Sequence, residues 1–157
     1  MPVVSDFFEE IDRRWRGAPS NKIPLLVLGS AALLLQTDYE RGTKDSDVLE
    51  TGFPLDDLNA SLHHFEVHVL DVVDVVVSKL KPFRPSDRGD IKAMIDRKLV
   101  PHDRLVERFR DAVDDFAGGA GAEDLPRCIK NLNRIERDLF NVPESQIELP
   151  DWLVDRL

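Results

Sequence analysis

The chain carries one cysteine, one tyrosine and two tryptophans in 157 residues, and aromatic residues make up 7% of it. A single thiol, Cys128, forms no internal disulfide, so stability must come from packing, and a reducing cytoplasm is the expected home. The plain reading of Cys128 is a half-buried helical thiol. No apolar run approaches the ~20 residues that span a bilayer, so no membrane association is expected. Met1, Pro2, Val3 and Val4 lead into the acidic stretch from Ser5 to Glu10, so no secretory leader is expected. Positive charge is short as well: 21 Lys and Arg against 30 Asp and Glu leave a net charge of −9. That balance argues against non-specific DNA binding, which needs a basic surface. It leaves room for a small nucleotide, whose phosphates a metal ion and a few local cations can carry, or for a nucleic-acid end held locally.

What remains is ordinary for one globular domain: 42% hydrophobic and 32% charged residues. Phe7, Phe8, Ile11 and Trp15 fall at helical spacing, predicting an amphipathic helix over 3–16 behind Ser5 or Asp6 as cap. Residues 17–22 are a loop by their turn residues. Ile23 to Gly29 reads as a short strand, apolar on both faces, and Ser30 to Gln36 as a helix that starts at the Gly29-Ser30 pair. A polar connection over 39–43 leads to a second strand over 45–50. Residues 54–64 are weakly helical, and Phe65 to Leu70 alternates as a strand does. From Asp71 the pattern is helical, with the stripe Leu105, Phe109, Ala112 and Phe116. A glycine-rich hinge over 118–122 precedes a final long helix marked by Leu125, Ile129, Leu132, Ile135 and Leu139.

The chemistry concentrates between residues 26 and 50. A strand that turns through Gly29-Ser30 into a helix presents backbone N–H groups and the positive end of a helix dipole, which favour a phosphate. Glycine lets a ligand come close to the backbone, and the Ser30 hydroxyl can cap the helix or donate to a phosphate oxygen. Asp45 and Asp47, two apart on a strand, put two carboxylates on one face. Two such anions call for a hard divalent cation with oxygen ligands, and Mg²⁺ (or Mn²⁺) suits them. A phosphate cradle followed by a metal-binding carboxylate pair is the apparatus of phosphoryl or nucleotidyl transfer. Each half alone is common: Gly-Ser occurs at many strand-helix turns, and Asp-x-Asp usually marks a solvated turn.

The combined stretch, with Arg41, Thr43 and Lys44 before Asp45 and Asp47, resembles the signature of the DNA polymerase beta-like nucleotidyltransferase superfamily. It is most similar to a group of small bacterial proteins related to the abortive-infection toxins of that fold. A second block, Ser78-Lys79-Leu80 followed by Arg84, Asp87 and Asp90, is similar to the downstream helices of the same group. The resemblance spans about residues 7–97. It implies an α/β (α+β) fold with a small mixed sheet flanked by helices over residues 1–100, and a helical extension over 101–157. It also implies a Mg²⁺-dependent nucleotidyltransferase. Asp45 and Asp47 would hold the metals, while Gly29, Ser30, Arg41, Thr43 and Lys79 would bind the nucleoside triphosphate. The acceptor is open: a protein hydroxyl, a tRNA end or a small molecule, with a cognate protein partner in a toxin-antitoxin pair.

Read from the residues alone, Lys79 is either a phosphate ligand or a lysine snorkelling at a helix C-terminus. Arg84, Asp87, Arg88 and Asp90 fit a salt-bridge network between helices better than a site. Active members of the superfamily carry a third carboxylate on a later strand. Only 17 residues, positions 48–64, separate Asp47 from Phe65. Glu66 is then the best candidate for the third acid, with Asp71 next. Either the chain is a shortened, non-catalytic nucleotide- or protein-binding relative, or a loop bearing the acid belongs between Gly52 and His64 and is absent from the sequence. A helical interaction protein with a scaffold sheet is a third reading. His63, His64, His68 and His102 lack the spacing of a zinc site.

Overall fold

The computed structural model describes residues 2–17, 21–37, 52–117 and 122–149. Arg41, Thr43, Asp45 and Asp47, and the strand expected around them, lie outside the described residues. Those described form a mixed α+β structure with seven α-helices and a three-stranded sheet. The chain divides into two compact units, residues 1–75 and 76–157. The reading above put a boundary at residue 100; this division falls inside the fourth helix.

In the first unit, α1 (Pro2–Arg14) ends on Arg13 and Arg14, whose charges suit a helix C-terminus. Both arginines pair with Glu10, one turn earlier. Phe8 turns inward, while Phe7 and Trp15 stay largely exposed. The Trp15 ring still packs edge-on against Phe65, with centroids 5.3 Å apart. Strand β1 (Ile23–Val27) leads into α2 (Gly29–Gln36), then β2 (Phe53–Pro54), α3 (Asp56–Ser61) and β3 (Phe65–Val69). The sheet order is β1-β3-β2, with β3 parallel to β1 and antiparallel to β2.

The central strand shows the alternation its sequence predicts: Phe65, Val67 and Val69 are buried, and Glu66 and His68 point to the other face. The expectation for β1 needs correction. Among the described residues it pairs only with β3, and Pro24 is exposed while Ile23, Leu25 and Leu26 are half-buried. A proline, having no N–H to donate, is tolerated on an edge strand.

Strand β2 is only two residues long, and Asn59 of α3 extends its work. The Asn59 amide nitrogen donates to the Val67 carbonyl at 2.9 Å, and its oxygen accepts from the Val67 N–H at 2.6 Å. The segment from Gly52 to His64 runs without a break through β2 and α3, with Leu55 N–H bonded to Val67 O and Asn59 N–H to Leu55 O. Among the described residues it holds no further strand.

In the second unit, α4 (Val72–Lys79, begun in the first) is followed by α5 (Pro85–Asp96), α6 (His102–Ala117) and α7 (Leu125–Ile135). Helix α5 starts on a capping box: Pro85 fills the first turn, and the Asp87 carboxylate accepts the Arg84 N–H at 2.8 Å. On α6, Leu105 and Phe109 are buried as the stripe requires, with Val106 and Val113 beside them. On α7 the buried face is Leu125, Cys128, Leu132 and Ile135. Asn131, from the flank of that face, donates to the Leu80 carbonyl at 2.7 Å.

The expected single long final helix is interrupted. After Ile135 the backbone widens into a π-helical turn, Glu136–Phe140, closed by Asn141 at φ 55°. The physical reason is Glu136, which sits fully buried within the apolar stripe. Its carboxylate accepts the Ser145 N–H at 2.9 Å and lies 2.9 Å from His102 Nε2. Widened turns of this kind accommodate such an inserted polar group.

Candidate functional site

The strand-to-helix junction forms as the sequence predicts. β1 ends at Val27, Leu28 is extended, and Gly29 opens α2 at φ 60°, in the left-handed region that favours glycine. Two bonds fix the junction against the central strand. The Leu70 N–H reaches Val27 O at 3.1 Å, and Gln36 Nε2, at the far end of α2, donates to Leu70 O at 2.7 Å. Ala32, Leu33 and Leu35 bury the inner face of the helix. Ser30 is also buried, at 6% exposure. Gly29 and Ser30 therefore occupy a rigid turn at the start of a helix.

Glu66 and Asp71, the candidate third acids, lie at the two ends of the segment that runs from β3 into α4. Glu66 is 46% exposed, and its carboxylate lies 3.5 Å from His68 Nε2, two residues along on the same face of β3. Asp71 caps α4: its carboxylate accepts the Val73 N–H at 2.8 Å, and its backbone oxygen accepts the Val75 N–H. Among the described residues no three His, Cys, Asp or Glu side chains converge as a metal site. A divalent ion would depend on Asp45 and Asp47, which lie outside the described residues.

Lys79, in the second unit, is neither open to solvent nor snorkelling. Its side chain is 9% exposed, and its ammonium lies 2.9 Å from the fully buried Asp90 carboxylate and 3.5 Å from Asp87. A phosphate would have to compete with two carboxylates for it. Asp87 and Asp90 of the Arg-x-x-Asp-x-x-Asp stretch thus enter a salt-bridge network, but with Lys79 as a cation, which the residues alone do not place in it. The network tethers the end of α4 to the start of α5.

Two buried carboxylates escaped the sequence reading. Asp12 of α1 is 4% exposed and takes the backbone N–H groups of His63, His64 and Phe65 at 2.9, 2.7 and 3.2 Å. Burial alone would raise its pKa, but these donors hold it below the ordinary carboxylate value. Its place four residues after Phe8, on the helix's inner stripe, was the available signal. Glu136 behaves alike: burial opposes its charge, while Ser145 and His102 lower its pKa overall. It too interrupts an apolar stripe, between Leu132 and Leu139. Both carboxylates organise backbone. Compared with known proteins, the chain matches no family model, no curated protein and no solved structure.

Proposed function

We propose that the protein binds a nucleoside triphosphate with Mg²⁺ and transfers a nucleoside monophosphate from it to an acceptor hydroxyl, as nucleotidyltransferases do. The observation that carries this reading is the turn at Gly29, where a strand runs through a left-handed glycine into a pinned helix start. Gly29 and Ser30 would face the β- and γ-phosphates. Arg41 and Thr43 would steady them, and Asp45 and Asp47 would hold the metal, whose part is to neutralise charge on the transferring phosphoryl group. The test is equilibrium binding of each of the four nucleoside triphosphates in Mg²⁺, together with transfer of α-phosphate label to protein and tRNA acceptors. Asp45→Asn and Asp47→Asn should abolish both signals while leaving the thermal transition in place. Retention of binding and transfer in both variants would overturn the reading.

A second reading, nucleotide binding without transfer, is favoured by a separate observation. The segment 52–64 offers β2 and α3 but no acid-bearing strand, Glu66 is drawn to His68, and Asp71 is occupied as a helix cap. Under this reading the triphosphate binds with Mg²⁺ and no label moves. Such a module would act through a protein partner, as one half of a toxin-antitoxin pair does.

A further inference from the structure

The second unit contains a cleft of about 310 Å³ between α5 and the π-helical turn that follows α7. Its walls are apolar, made by Phe83, Pro85, Ile91, Ile135 and Leu139. Its lining carries three cations, Arg88, Lys92 and Arg134, and one acid, Asp138; Lys92 is paired with Asp96 just outside it, at 2.5 Å. On a protein of net charge −9 this is a local inversion of sign. The cations are also easily redirected. Arg134 is bonded to Asp138 at 3.3 Å with both side chains about half exposed, and exposed pairs of this kind hold weakly.

Two backbone observations set the cleft apart from a packing gap. Gly89 lines it in the middle of α5, although a Cβ built there would meet nothing within 4 Å. A helix-interior glycine is costly, and no crowding demands this one, so it serves by leaving the space above it open. Phe83 lines the same cleft at φ 45°, a left-handed conformation unusual for a bulky residue. Its ring lies 5.9 Å below the Arg88 guanidinium. The same residue closes the turn after α4, its N–H donating to Lys79 O at 3.1 Å, and so holds the ring at the cleft.

We infer that this cleft binds a small organic anion with a flat apolar body. The body would lie over Gly89 against Phe83, and the phosphate or carboxylate would be taken by Arg134 in exchange for Asp138. Planar guanidinium groups suit such anions. The volume lies at the lower end of small-molecule pockets, which limits the body to about the size of one or two fused rings. This site is independent of the nucleotide reading, because all of its residues belong to the second unit and none is Asp45 or Asp47.

The test uses the full chain in EDTA, with 1-naphthyl phosphate as probe and inorganic phosphate and 1-naphthol as its separate halves, followed by calorimetry. The probe should bind at least tenfold more tightly than either half. Arg134→Ala should weaken it fivefold or more, and Gly89→Leu should block it while the helical circular dichroism is kept. Asp138→Asn should tighten binding, an effect that misfolding cannot mimic. Binding no tighter than the halves overturns the inference, as does binding that Gly89→Leu and Asp138→Asn both leave unchanged.

Discussion

Lys79 and Asp90 form an ion pair of 2.9 Å in which the carboxylate is wholly buried and the ammonium nearly so. Asp87 supplies a second anion at 3.5 Å while also capping α5. Removing the lysine would take the ammonium counter-charge from the buried Asp90 carboxylate. Lys79→Met should therefore cost about 3–5 kcal/mol of stability, whereas Lys79→Met with Asp90→Leu should recover most of it. Urea unfolding of the two variants measures the difference. A Lys79→Met protein as stable as the parent would free this lysine for the nucleotide role.

Asp12 gives the fold a defined sensitivity to acid. Its folded pKa is depressed below the ordinary 3.8, so its contribution is complete above that value and drains away as pH falls below it. Glu136 has the same sign, starting from 4.5. Asp12→Asn should lower stability at pH 7 and flatten its decline below about pH 4, leaving the smaller slope due to Glu136 and other carboxylates. Thermal melts between pH 7 and pH 3 read both effects.

Two glycines should respond oppositely to alanine. Gly29 sits at φ 60°, and a Cβ there should cost about 1–2 kcal/mol. Gly89 is helical with open space above it, so Gly89→Ala should add about 0.5–1 kcal/mol. Paired denaturant curves decide both signs, and only Gly29→Ala should also weaken triphosphate binding.

Cys128 should be a slow nucleophile. Burial pushes its thiol pKa up, and Asp124 pushes it further, so little thiolate is present at neutral pH. Reaction with a disulfide reagent at pH 8 should proceed far more slowly in the native protein than in denaturant.

The sequence was readable where periodicity governs. The inner face of α6, the alternation of β3 and the turn from β1 through Gly29 into α2 each follow from residue spacing. It was unreadable where a charged residue lies on a buried stripe. Asp12 and Glu136 look like solvated positions until the backbone N–H groups they collect are placed, and those donors come from 51 and 9 residues away. The widening of α7 follows from the same cause. Lys79 shows a different failure: its position reads as a phosphate ligand or a snorkelling lysine, and it is instead buried in an ion pair. Only the positions of Asp87 and Asp90 reveal that pair. The carboxylate pair that drew attention first, Asp45 and Asp47, lies outside the described residues.

The Asn59 amide has a consequence for how the protein behaves in a crowd. A central strand whose neighbour is two residues long would leave a template for foreign chains to extend. By meeting both the N–H and the carbonyl of Val67, Asn59 occupies the next rung with a side chain. A side chain cannot propagate a ladder, so recruitment of another polypeptide stops there. One amide on a six-residue helix, together with the Leu55 N–H, thus closes this side of β3 just past Pro54.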